Sequence, residues 1–196
     1  VSPGNLQQTT YESLLQEWAN SGDSQAVQAL ALYRRGREED QLSGGSSVTL
    51  DNNLRALEIV DAINQYRRQA GLPDLLVDPY QFPASQIQAE YFAANEAHMF
   101  KYQANENVAW GFTPQEAAAF WYSEKDLYQQ VAAQYGLPTD ETQLDANQIY
   151  MKVGADVFAR IGHYVQMMGN QFNSVSVAYD PAHQISEAAF LNSSGQ

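Results

Sequence analysis

Apolar residues recur three and four apart through most of this chain, and the period changes abruptly near its end. Ser174-Val-Ser-Val-Ala-Tyr179 alternates polar and apolar positions, the two-residue repeat of a half-buried strand. Asp180-Pro-Ala-His183 reads as a turn, and Ile185 to Leu191 as an antiparallel partner. Asn107-Val-Ala-Trp-Gly111 is a further short apolar run closed by glycine, also read as a strand. Many helices and a few short strands leave one economical arrangement, an α+β fold with helices packed on a small, mostly antiparallel sheet. The chain has 196 residues and 44% hydrophobic content, enough for one domain with an extension and a core that needs no metal or disulfide.

Residues 6–42 read as two helices parted by Asn20-Ser-Gly-Asp-Ser24. Leu6, Tyr11, Leu14, Leu15 and Trp18 mark the first. Val27, Leu30, Ala31 and Tyr33 mark the second, with Ser24 as its cap. The second runs into Arg34-Arg-Gly-Arg-Glu-Glu-Asp40, a mixed charge run read as a solvated face. Ser43-Gly-Gly-Ser-Ser47 is linker-like, so residues 1–46 are assigned to an N-terminal helical extension with linker, and 47–196 to the main domain. That domain opens with a helix from Thr49 or Asp51 that carries Leu54, Leu57, Ile59, Val60, Ile63 and Tyr66 and stops at Gly71. Pro79 and Pro83 bracket a turn into a long helix with Ile87, Tyr91, Ala94 and His98 in one stripe. Thr113-Pro-Gln-Glu116 combines a capping threonine, a proline at the first helical position and the reciprocal glutamate. The helix it starts is expected to reach about Tyr135. Residues 139–148 read as an acidic loop, and Tyr150 to Met168 as a helix broken at Gly154 and Gly162.

Charge narrows the partners. Acidic residues number 23 against 10 basic, a net charge of -13, so no basic excess exists to displace counterions from nucleic acid or to dock on an anionic membrane surface. The aromatics are spaced as core and are not interleaved with basic residues, so no base-stacking platform is visible. No apolar run approaches the ~20 residues that span a bilayer. The absence of cysteine excludes thiolate metal sites, thiol nucleophiles and disulfides without fixing a compartment. No leader is visible, and Val1 in place of a start Met is consistent with processing.

Glu124 is the sharpest local anomaly. It lies four residues after Phe120 and four before Tyr128, inside a face that also carries Trp121, Leu127 and Val131. A carboxylate there needs a partner, a metal or a proton, and Lys125, Lys152 or Arg160 would serve as plain partners. His98 closes its stripe near the negative end of its helix, where an ordinary satisfied imidazole also belongs. His163 follows Gly162, which suggests a close backbone approach or a bend. Glu106 stands at a strand entrance between Asn105 and Asn107, where a charge ordinarily faces solvent. His183 lies in a polar turn and is assigned no role. No phosphate loop, nucleophile elbow or His-Glu-x-x-His helix is present. Taken singly, none of these four residues outweighs a structural role.

Together they form a pattern. Asn64-x-x-Arg67 with Gly71-Leu72, Leu75 and Asp78, then Glu106-Asn107-Val108-Ala109, Trp121-Tyr-Ser-Glu124 and Gly162-His-Tyr-Val-Gln166, occur in that order, with Val175-Ser-Val-Ala178 after them. This run, over residues 53–192, resembles the CAP superfamily of cysteine-rich secretory proteins, antigen 5 and plant pathogenesis-related proteins, in a bacterial cysteine-free form. Asn105 stands where the family has Gly, Val165 where it has Thr, and Met167 and Met168 where a second Trp is expected. The missing cysteines remove the disulfide pattern and any cysteine-rich appendage, and with it functions such as channel blocking. The helices before Gly44 lie outside the resemblance.

The resemblance implies an α-β-α sandwich with a central cleft where His98, Glu106, Glu124 and His163 converge. Such a set suits a divalent metal, zinc rather than calcium, which prefers an oxygen-rich cage. His98 and His163 are expected to bind it directly, with Glu106 and Glu124 behind them or on bound water. The function implied is a secreted or cell-surface binding or interaction module for a small-molecule, lipid or protein ligand. A metal-assisted hydrolase of peptidase or esterase type is the alternative, with bound water as nucleophile and Glu106 or Glu124 as general base. A third reading has the four side chains satisfying one another structurally.

Overall fold

The structure, a computed structural model, describes residues 5–40 and 45–193. Helices α1 (Tyr11–Asn20) and α2 (Ser24–Asp40) form the N-terminal pair, followed by α3 (Leu50–Gln69), β1 (Leu76–Val77), α4 (Phe82–Asn95) and β2 (Glu106–Trp110). Then come α5 (Pro114–Tyr122), α6 (Lys125–Tyr135), α7 (Ala146–Val153), α8 (Ala155–Met167), β3 (Ser174–Asp180) and β4 (Ile185–Leu191). The sheet order is β1-β3-β4-β2, parallel only between β1 and β3. Alternate residues of each strand face opposite layers. Val108, Ala178 and Ile185 pack on Ala89 of α4, while Val175, Val177, Ala188 and Phe190 join the larger core beneath α3, α5 and α8. The α-β-α layering is therefore present, with α1 and α2 stacked outside α4.

Both faces of β3 are buried along its whole length, so its alternation of Ser and Val does not separate water from core. Ser176 is fully buried and meets Ser85 of α4 at 2.7 Å, which satisfies a hydroxyl that the sequence pattern assigned to solvent. The two-residue β1 has too short a pattern to be seen in the sequence. It forms because Leu76 N–H donates to Asn173 and Asp78 N–H to Val175.

Several expected boundaries move. Asp23, not Ser24, caps α2, accepting the N–H groups of Gln25 and Ala26. The buried stripe of α2 is Ala26, Ala29 and Tyr33, while Val27 is exposed. Small residues win there because α2 lies close on α4; a Cβ at Gly36 would run into the Ile87 side chain. On α3, Leu54 is likewise exposed, and Asn53, Asn64 and Arg67 share the buried face. The helix from Thr113 keeps its full capping box but ends at Tyr122. Ser123 Oγ donates to the Phe120 carbonyl, and Glu124 N–H reaches back only three residues to Trp121, so the chain tightens and α6 starts anew. Gly154, at φ 81°, separates α7 from α8 in a region that favours glycine. Gly162 makes no break. It lies inside α8, where a Cβ would meet the Phe158 ring at 2.9 Å, so the close approach is the reason for glycine. Residues 139–148 hold a short turn at Glu141–Gln143 and the first turn of α7.

Of the linker-like stretch, Ser43 and Gly44 lie outside the described residues, and Ser46–Val48 form a short turn. The helical pair docks through directed bonds. Tyr11 OH donates to Pro79 O at 2.6 Å, Tyr80 OH to Asp23 at 2.7 Å, and Tyr33 OH to Gln86. Within that charge run Arg34, Arg35, Glu38 and Glu39 are solvated, while Arg37 pairs with Glu12. Burying Leu15 and Tyr33 completely adds roughly 1.5–3 kcal/mol for each such side chain. No described helix is long and apolar enough to cross a membrane.

Candidate functional site

Two histidine–carboxylate pairs flank the free edge of β2. The first is built from a loop. Helix α4 stops at Asn95 because Glu96 turns left-handed (φ 52°), and Phe100 adopts the same region (φ 54°), so His98 lies beyond the helix rather than in its last turn. The expected stripe breaks where the helix does. His98 Nδ1–H donates to Glu106 Oε2 at 2.7 Å. Glu106 Oε1 accepts Gln88 Nε2–H at 3.0 Å. The imidazole stacks on Phe100 with centroids 4.8 Å apart and takes the edge of Phe92 at 5.5 Å.

The second pair is built from helices. His163 Nδ1–H donates to Glu124 Oε2 at 3.0 Å, and Glu124 Oε1 accepts the Tyr164 N–H at 3.0 Å. The tight turn after α5 is what brings this carboxylate onto α8. None of the plain partners named from the sequence engages Glu124; Lys125 pairs with Glu141 at 3.1 Å. Asn107 ties the two halves together. Its Nδ2 donates to His163 O at 2.9 Å, its Oδ1 accepts Gln166 Nε2–H at 2.8 Å, and Gln166 also reaches Glu106 O at 3.3 Å. His183 lies elsewhere, paired with Asp180 at 2.8 Å.

A cleft of about 580 Å³ opens between the halves, lined by His98, Glu106 and His163 together with Phe100, Tyr150 and Phe158. Glu124 stands behind His163, outside the lining. Each imidazole spends Nδ1 on a carboxylate, which leaves Nε2 without a hydrogen bond among the described residues. That is the arrangement in which a carboxylate orients a ligating ring. Among the described residues, however, no group of three or more His, Cys, Asp or Glu side chains is placed to hold an ion. The described residues therefore form no closed four-ligand centre of the structural type.

The sequence reading missed two participants, and it named Gln166 within its motif without giving it a role. Gln88 is a neutral amide without a motif signal of its own. Glu187 did carry a signal, since it shares strand parity with Ile185 and Ala189 and so points into a layer. It is completely buried, with neither oxygen in a well-formed hydrogen bond. Burial first, and then the neighbouring Glu106 carboxylate, push its pKa well above the ordinary value.

The motif residues outside the cleft also have defined work. Asn64 exchanges two hydrogen bonds with the backbone of Leu75 (2.8 and 3.1 Å). Arg67, only 1% exposed, donates to the carbonyls of Pro73, Met167 and Gly169, each at 3.0 Å. It locks the end of α8 to the loop after α3, and burial lowers its pKa to about 10. No match to a curated protein was found. The model of the cysteine-rich secretory protein family matches residues 60–188, from the middle of α3 to β4. With that span, the layered fold and the paired histidines in one cleft, the chain belongs to the CAP, or cysteine-rich secretory protein, family.

Proposed function

We propose that the chain is a secreted binding module whose cleft takes a divalent ion, zinc foremost, on His98 and His163, with Glu106 and Glu124 holding the rings. One observation carries this reading: two imidazoles line the same cleft, each with Nδ1 tied to a carboxylate and Nε2 left over. Neutral imidazole nitrogen suits zinc. The apolar lining from Phe100, Tyr150 and Phe158, beside the free Nε2 atoms, suits a ligand with an apolar face and a donor atom for the ion. Family membership supports export.

The hydrolase alternative draws less support. Both oxygens of Glu106 and of Glu124 already accept hydrogen bonds from the protein, and Glu124 stands outside the cleft lining, away from any water held there. Zinc titration by calorimetry tests the binding reading. Wild type is expected to bind one ion and His98→Ala/His163→Ala none; equal binding by both proteins would remove the metal site. Turnover of peptide or ester libraries that disappears in folded Glu124→Gln would favour the enzyme instead.

A further inference from the structure

We infer that Gln88 is the positioning residue of the His98 half of the site, holding the carboxylate and the loop in register with each other. The inference deepens the metal-binding reading and rests on it only for its effect on affinity. Gln88 is fully buried on α4 between the sheet and the outer helices. Its Nε2–H donates to Glu106 Oε1 at 3.0 Å, while its Oε1 accepts the backbone N–H groups of Tyr102 (3.1 Å) and Gln103 (2.9 Å). The partners fix the amide's orientation. Two N–H donors demand the oxygen at one end, and a carboxylate demands the NH₂ at the other. One side chain thus spans from the segment that carries His98 to the acid that His98 must meet.

The need for such a clamp follows from the backbone. The segment from 96 to 105 has no helical or strand ladder, and it passes through two left-handed non-glycine residues, Glu96 and Phe100. A loop of that kind holds its shape only where surrounding contacts over-determine it. With Gln88 occupying Oε1 of Glu106, Oε2 is the oxygen presented to His98. The Nδ1–H tautomer is then selected, and Nε2 keeps its lone pair for a ligand. The mechanism needs no charge on Gln88 itself.

The test uses the whole chain without metal. Imidazole ¹⁵N shifts should show His98 as the Nδ1–H tautomer in wild type and as a mixture richer in Nε2–H in Gln88→Met, a variant of similar volume. His163 is the internal control and should keep its tautomer. Zinc affinity should fall by about 10–100-fold in the variant. In wild type, the Tyr102 and Gln103 amides should be protected from hydrogen exchange, a measurement that needs no variant to fold. Unprotected amides in wild type, or an unchanged His98 tautomer in folded Gln88→Met, would overturn the inference. A shifted tautomer in a protein that binds no zinc even as wild type would sink the metal reading and leave the role of Gln88 standing.

Discussion

His163 sits within the 13-residue helix α8, whose last turn is anchored by Arg67, while His98 sits in a loop that bends twice through left-handed residues. Both rings make the same contact, Nδ1–H to a carboxylate. On the helix, the backbone ladder already fixes the ring's origin, and Glu124 needs only one further bond, from Tyr164 N–H. On the loop nothing local fixes it, so a buried amide from another element supplies three hydrogen bonds. The difference teaches that equivalent site chemistry can demand unequal support, according to the scaffold that carries it.

The largest test strikes the helical half. Arg67→Met leaves three carbonyls, two of them buried, without their donor, and a loss of about 3 kcal/mol, or roughly 10 °C in Tm, is expected by urea and thermal unfolding. If α8 is the anchor of His163, exchange protection in α8 should fall more than in α4. Equal losses in both would erase the distinction between the halves.

Glu124→Gln comes next. A neutral amide can accept from His163 or from Tyr164 through its one carbonyl oxygen, but not hold both bonds as a carboxylate does. We expect about 1–2 kcal/mol of destabilisation and a mixed His163 tautomer, with the His98 signals unmoved. Movement of both rings would mean the two halves act as one unit through Asn107.

Glu187 sharpens the comparison from the other side, since it neighbours Glu106. Its folded pKa lies above the unfolded value of about 4.5, so the native state holds more protons than the unfolded one as pH rises past that value. Stability therefore falls with rising pH across that window. Glu187→Gln should remove this slope, stabilising the protein at pH 8 and hardly at all at pH 4. Denaturant curves at the two pH values check it; an equal effect at both would place the titrating group elsewhere.

The smallest effect belongs to the outer contact of the loop. Lys101 meets Glu39 of α2 at 2.8 Å, with the two side chains 42% and 45% exposed. Glu39→Ala should cost less than about 0.5 kcal/mol and leave the His98 tautomer intact. A disturbed His98 in that variant would move the clamp from α4 to the helical extension.

How much of this was legible without coordinates differs between the pairs. Glu124 betrayed itself by falling at helical spacing among apolar residues, and His163 by its glycine neighbour, because the chain is helical on both sides of the one and through the other, where periodicity carries information. His98 and Glu106 gave only family resemblance. The helical stripe that seemed to hold His98 stops at Asn95, and a residue at a strand entrance has no period to violate. Gln88 was invisible because α4 is covered on two sides, so its polar residues Ser85, Gln86 and Gln88 are buried without marking a separate face in the sequence.

Residues alone were enough for whatever depends on near neighbours: the capping box at Thr113, the helix stop at Gly71, the β3–β4 hairpin, the break at Gly154 and the ordered motifs that mark the family. These rest on backbone conformations and hydrogen bonds closed within a few positions of the chain. Tertiary structure decided what depends on a second layer. It buried both faces of β3, turned the chain at Ser123 so that Glu124 reaches α8, and set Gln88 between Glu106 and a loop 14 residues onward. Whether a polar side chain meets water or a partner is settled by what packs over it, and that partner can come from anywhere in the sequence.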